Sequence, residues 1–312
     1  MATWGQILGE IQNAIQSGDV RAFDNIRNKY VNTLADFTGR DTIVYATRWT
    51  SGDMPPNLVS ITDEDIHAFM EALAGLNNDN LDLILHTGGG SAEATDAIVS
   101  YLRLKYKHIR IIIPQAAMSA GTMLACSADV IVMGKQSSIG PIDPQFILHT
   151  SVGVQSLPAH AILEQFKKAQ DDCAANPKNL NSWLPMLNQY GPALLIRCQD
   201  QIDFGKILVN DWLKAYMFKN EDITIANKIA DYLSNHANFK THAKHINIEK
   251  AKEIGLKIEQ LEDNQDFQDK VLSAFHATMH ALSSTNTAKI IANHNGNCFL
   301  KQFNVGSVPV RK

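Results

Sequence analysis

Leu81-Asp82-Leu83-Ile84-Leu85-His86-Thr87-Gly88-Gly89-Gly90-Ser91 and Ile109-Arg110-Ile111-Ile112-Ile113-Pro114-Gln115-Ala116-Ala117-Met118-Ser119-Ala120-Gly121 are the stretches that decide how this chain folds. Each begins as a short, nearly continuous apolar run, the pattern of a strand buried on both faces. Each then passes through a loop of small residues into a segment of helical spacing, over 92–106 and 119–127. The two loops are separated by about 30 residues, the length of one strand–helix–strand crossover. If the strands are parallel neighbours, both loops emerge at one edge of the sheet, where open α/β sheets bind ligands. One loop supplies a glycine-rich run of backbone N–H groups and the other a serine at a helix start. Acyl transfer needs that pairing, an oxyanion hole and a nucleophile.

The alternation continues on both sides. Residues 4–30 read as one or two amphipathic helices and 42–49 as the first strand. Thr62-Asp63-Glu64-Asp65 reads as the capped, acidic start of a helix over 66–76. Residues 129–133 form a third buried strand. Beyond Pro144 the spacing turns helical, over 157–175, 181–190, 192–218, 222–234, 248–254 and 261–284. The expected organisation is N-terminal helices over 1–40, an α/β core with a mainly parallel sheet over 41–150, and a mostly helical remainder over 151–312 packed on the core.

Composition narrows the function classes. The 312 residues are 45% hydrophobic and 19% charged, as in ordinary globular proteins. A formal charge of −4 with scattered Lys and Arg forms no phosphate-tracking stripe, so nucleic acid is not an expected partner. Glu10 and Asp19 interrupt the N-terminal stretch, which has no long apolar core of the secretory kind. Arg110, Pro114, Gln115 and Asp129 break up the apolar region 109–133, so no membrane span is expected. Cys126, Cys173, Cys198 and Cys298 lie far apart and read as inert thiols of a reducing, cytoplasmic compartment.

No cofactor or metal is expected either. Gly88-Gly89-Gly90 is not a dinucleotide fingerprint, and Gly134-Lys135-Gln136-Ser137 lacks the upstream glycine of a phosphate loop, since Asp129 stands there. His276 and His280 share a helix face, but Ala277 replaces the glutamate of a zinc-peptidase motif, so they read as a structural pair. Trp183, Tyr190, Trp212 and Phe218 read as core or subunit-interface residues.

The segments LDLILHTGGGSAEATDAIVSYLR, IPQAAMSAGTMLACSADVIVMGKQSSIGPIDPQF and THAKHINIEKAKEIGLKI resemble the serine dehydrogenase proteinase family. That family is a branch of the ClpP/crotonase superfamily related to signal peptide peptidase A. The resemblance implies a ClpP/crotonase-like fold with a helical C-terminal extension. It also implies a serine peptidase acting on polypeptides, and a homo-oligomer that sequesters its sites. By resemblance Ser119 matches the nucleophile, Gly89 and the N–H of Ala120 match the oxyanion hole, and Gly90 lies beside them. One departure is that the family's usual Thr-Pro-Gly-Gly is Thr87-Gly88-Gly89-Gly90 here. Without the resemblance, Ser119 also reads as a helix N-cap and the glycines as a tight βα turn. A crotonase-like acyl-CoA enzyme and a non-catalytic oligomeric scaffold are the alternative functions of such a fold.

The general base is the open position. Where Clp-type proteases carry their histidine, this chain has Ile142-Asp143-Pro144. Signal peptide peptidase relatives use a lysine on a following helix, which makes Lys167 the first candidate, with Lys168 beside it and Lys206 further on. A lysine in that role must be desolvated so that it is neutral. Aligning IEKAKEIGLKI with the Clp-type segment brings His242 near the third triad position, with Asp143 as a group to orient a partner. The plainer readings are solvated helix surface for the lysines and a turn residue for Asp143.

Overall fold

A computed structural model describes residues 3–52 and 54–303. Helices α1 (Trp4–Gln16) and α2 (Ala22–Thr38) precede strand β1 (Asp41–Thr47), and α3 (Pro56–Val59) and α4 (Asp65–Leu73) precede β2 (Asn80–His86). Next come α5 (Ala92–Lys105), β3 (His108–Ile113), β4 (Ala116–Ala117), α6 (Ala120–Cys126), β5 (Val130–Met133) and β6 (Ser138–Ile139). A hairpin of β7 (Gln145–Thr150) and β8 (Gly153–Pro158) leads into α7 (Ala159–Ala175), α8 (Leu180–Leu187), α9 (Leu194–Ala215), α10 (Ile223–Ser234) and α11 (Ile248–Glu253). The chain then adds β9 (Ile258–Gln260), α12 (Gln265–Ser284), β10 (Thr287–Asn293) and β11 (Cys298–Gln302).

Seven strands make one sheet in the order β11-β10-β1-β2-β3-β5-β9. The run from β1 to β9 is parallel, and β10 and β11 are antiparallel at one side. The chain therefore forms the α/β fold with a mainly parallel sheet that the sequence implies. Its central strands are apolar on both faces because helices cover both. Ile43, Leu83 and Ile111 point into the larger layer with α4, α5, α6 and α9 to α11, while Val44, Ile84 and Ile112 pack against α2 and α12. A second, two-stranded sheet of β4 and β6 stands at the strand ends. The β7–β8 hairpin buries Phe146, Leu148 and Leu157 against α7 and α9 in a small separate cluster.

Spacing does not announce the hairpin over residues 145–158, the short β4–β6 sheet, or strands β9, β10 and β11 of the main sheet. Strand β10 contains Lys289 and Asn293, both fully buried, so its apolar pattern is interrupted. Each finds partners far away in sequence. Lys289 Nζ donates to both Asp65 oxygens at 2.6 and 2.8 Å and to the Ser60 carbonyl at 2.7 Å. Asn293 Nδ2 donates to the Ala72 carbonyl at 2.9 Å. Burial pushes the Lys289 ammonium below its ordinary range, and the Asp65 carboxylate opposes that shift. The start of α4 also differs from expectation. No side chain caps it; instead Asp65 accepts from the Thr62 N–H at 3.1 Å and from the Tyr45 hydroxyl at 2.8 Å.

His86, the last residue of β2, is wholly buried between the rings of Trp49 and Phe275, whose centroids lie 5.7 and 5.3 Å away. Neither ring nitrogen makes a hydrogen bond of ordinary geometry. Burial pulls the imidazole down to about 4, with the Ala116 carbonyl offsetting a small part. An unfolded histidine titrates near 6.5, so between those values the unfolded chain binds a proton that the folded chain refuses. The folded state is favoured above that window and loses about 3 kcal/mol as the pH falls through it. His86→Phe is expected to flatten this part of the acid dependence, measured as urea midpoints from neutral pH downward; an unchanged slope would contradict the assignment.

Candidate active site

Strands β2 and β3 are parallel neighbours, paired Ile84 to Ile112, so the two loops leave the sheet side by side. They are stitched together at once. The Thr87 N–H donates to the Ala116 carbonyl at 3.2 Å, and the Met118 N–H to the Thr87 carbonyl at 2.9 Å. Ser119 sits at the joint between β4 and α6 with φ 53° and ψ −120°. That backbone costs a non-glycine residue roughly 1–3 kcal/mol and persists only where the surroundings enforce it. The Ser119 hydroxyl makes no capping bond to α6, so the helix-cap reading does not hold. Ala120 opens α6, and its N–H has no acceptor within the helix.

The glycine turn lies against this joint. Gly89 has φ 103°, and a Cβ there would come within 2.7 Å of Ser119 Cβ and 2.6 Å of the Met118 carbonyl oxygen. A Cβ on Gly90 would meet the Ile61 carbonyl oxygen at 2.3 Å. Ile61 holds the far side of the turn. Its N–H donates to the Gly89 carbonyl at 2.8 Å, and its own carbonyl accepts from Ser91 N–H at 3.0 Å. The Gly89 N–H donates to Thr87 Oγ1 at 3.1 Å.

A cavity of about 410 Å³ opens over both loops and is lined by Gly89, Gly90, Ser119, Ala120, Met123 and His242, among others. Behind His242 lies Asp143, fully buried, whose Oδ1 accepts from His242 Nδ1 at 2.8 Å. A carboxylate only accepts, so Nδ1 carries the hydrogen and Nε2 keeps the lone pair that a general base needs. The Asp143 Oδ2 accepts from His236 Nδ1 at 3.0 Å and from Gln145 Nε2 at 3.1 Å. Backbone bonds place these groups. The Ile142 N–H donates to the Leu233 carbonyl at 3.0 Å, fixing Asp143 against the end of α10. Ile139 and Ile246 exchange bonds of 3.0 and 2.8 Å, which holds the His242 loop beside β6.

The fold thus gathers Gly89, Gly90, Ser119, Ala120, His242 and Asp143. Lys167 stands elsewhere on α7, with a side chain 76% exposed and 3.7 Å from Asp171; it does not line this cavity. Lys168 is likewise exposed, and Lys206 pairs with Asp231 on α10. His236 was not singled out in the sequence, because its partner Asp143 is 93 positions away and no short motif joins them. Among the described residues, no group of three or more His, Cys, Asp or Glu is arranged to hold a metal ion. Nor, among them, is any helix long and apolar enough to cross a membrane.

The chain is thus an α/β protein with a mainly parallel sheet that sets a strained serine against a glycine turn. Residues 39–184 match the model of the ClpP-like SDH-type serine proteinases, so over that stretch the chain is similar to that family. The matched stretch contains Gly89, Ser119 and Asp143 and stops short of His236 and His242. Two uncharacterized proteins of Methanocaldococcus jannaschii are similar to parts of the chain. One is 40% identical over 86 residues, 27% of this chain and 30% of that protein. The other is 37% identical over 107 residues, 34% of either chain. The chain thus spans about a third of the length of these curated relatives.

Solved structures with similarity include a serine-to-alanine mutant of the 1510-N membrane-bound stomatin-specific protease, at TM-score 0.39 and 17% identity, covering 68% of this chain and 79% of that one. A lysine-to-alanine mutant of the same protease with a substrate peptide gives TM-score 0.40 and 16% identity, covering 78% and 84%. A ClpP1 mutant from Listeria monocytogenes gives 0.34 and 11%, covering 75% and 98%.

The glycine turn yields a direct test. Gly90→Ala is expected to destabilise the protein by roughly 1–3 kcal/mol, the usual range for overpacking. Gly9→Ala, in α1 with open space around it, should instead stabilise by about 0.4–1 kcal/mol. Urea titration of both variants checks the contrast.

Proposed function

We propose that this chain is a serine peptidase in which Ser119 is the nucleophile, His242 the general base and Asp143 the group that orients it. One observation carries the reading. A strained, uncapped serine opens into the same cavity as a histidine whose other nitrogen is held by a fully buried carboxylate. In the reaction, His242 Nε2 takes the Ser119 proton as Oγ attacks a peptide carbonyl, and the resulting imidazolium is stabilised by Asp143. The N–H groups of Gly89 and Ala120 receive the developing oxyanion. The Thr87 hydroxyl, which holds the Gly89 N–H before substrate arrives, is a weaker acceptor than that oxyanion and gives way to it. His242 then protonates the leaving amine, and water hydrolyses the acyl-enzyme by the reverse route.

The chain order here is serine, aspartate, histidine. Asp143 stands where the Clp-type resemblance places the base, and His242 where it places the acid. The two roles exchange positions while the pair stays in contact. Polypeptide substrates, a homo-oligomer and a cytoplasmic location belong to the same reading.

Labelling by a fluorophosphonate probe tests it. Ser119→Ala should abolish labelling, and His242→Ala should slow it by a factor on the order of 10⁶, as loss of a triad base does. Asp143→Asn should cost about 10⁴-fold, because an amide imposes the wrong imidazole tautomer. Lys167→Ala should label at the wild-type rate. Rapid labelling of His242→Ala together with loss in Lys167→Ala would overturn the assignment of the base.

A further inference from the structure

The mechanism above uses one oxygen of Asp143, yet the structure gives the other oxygen to a second histidine. His236 Nδ1 lies 3.0 Å from Asp143 Oδ2, and Gln145 Nε2 lies 3.1 Å from the same atom. Since the carboxylate can only accept, His236 donates through Nδ1, as His242 does on the opposite oxygen. The ring is not free to leave. His236 starts a short 3-10 turn, 236–238, which Asn235 caps by accepting from the Ala237 N–H at 3.0 Å. Its face stacks on His160 of α7 at 6.4 Å and 18°, and His160 is itself fixed to the Ser234 carbonyl by Nε2 at 3.1 Å. Asp143 and His160 are thus the titratable groups facing His236. The side chain is only 16% exposed.

We propose that His236 is a positioning residue for the catalytic histidine. This rests on the triad reading, since it concerns how Asp143 is held for His242. A buried carboxylate bonded on one side alone can turn about its Cβ–Cγ bond and offer His242 a poorly aligned oxygen. With Oδ2 pinned by His236 and Gln145, Oδ1 has one orientation, and it is the one that meets His242 Nδ1. His236 touches no substrate in this role; it acts through Asp143.

The second-order rate of Ser119 acylation by a fluorophosphonate, followed against pH, is the test. His236→Ala should slow acylation about ten- to hundredfold, the worth of one hydrogen bond to a charged group. Its rising limb should also move to lower pH, because a less well oriented carboxylate stabilises the His242 imidazolium less. His236→Asn, whose Nδ2 can replace the Nδ1–H donor, should recover most of the rate and return the limb toward its wild-type position. The second variant also guards against misfolding of the first, since an amide keeps the turn polar and partnered. A wild-type rate and pH profile in His236→Ala would overturn the inference, as would failure of a natively folded His236→Asn to recover. If His242→Ala acylates at the wild-type rate, the triad itself falls and the inference with it. If His242→Ala is inert while His236→Ala is unchanged, only the role of His236 falls.

Discussion

Lys289, an ammonium buried at the edge of the parallel sheet, holds together the end of the molecule that carries the glycine and serine loops. It reaches across from β10 to Asp65 at the head of α4 and to the carbonyl of Ser60. Asp65 in turn gathers the Thr62 N–H and the Tyr45 hydroxyl. Between Ser60 and Thr62 lies Ile61, whose backbone clamps the glycine turn on one side while Ser119 closes it on the other. A buried ion pair adds little net stability over apolar packing, but leaving either charge alone costs about 3–5 kcal/mol. The pair therefore acts mainly as a constraint on geometry. It fixes where the chain segment behind the glycine turn must run.

The same logic governs Ser119. A serine with φ 53° is tolerated because its flanks are fully committed. Met118 is bonded to Thr87, Gly121 to Met118, and every residue of α6 is buried. Strain concentrated at one residue lifts its hydroxyl out of the capping position and into the cavity. On the opposite wall, Asp143 is drawn in by the end of α10 and His242 by the bridge to β6, so Ser119 and His242 reach one cavity from independent supports.

Much of this was legible beforehand because it is local. Ile109 to Ile113 is an unbroken apolar run, and Gly88-Gly89-Gly90 and Met118-Ser119-Ala120 lie directly after their strands, so the strand–loop–helix order reads straight from the chain. The serine loop and its glycine partner read from that order, and the structure brings them together. His242 and Asp143 enter the sequence reading only through the resemblance and behind Lys167, because they are 99 positions apart and each has a plain reading alone. His236 was invisible for the same reason. Strand β10 was missed because a lysine and an asparagine sit inside it, and their partners Asp65 and Ala72 belong to a helix more than 200 residues earlier.

The departure of the glycine turn from Thr-Pro-Gly-Gly has a physical counterpart in Trp49. A Cβ on Gly88 would lie 3.2 Å from the indole of Trp49, so that ring packs closely against the position where the proline would stand. Proline stiffens a turn covalently, in the folded and unfolded chain alike. An indole laid against a glycine stiffens it only while the 3-10 turn at Trp49–Ser51 is itself in place. Order in the glycine loop has been moved out of the loop's own covalent structure and lent to it by a neighbour. Loosening that neighbour would relax the glycine turn without touching any residue within it.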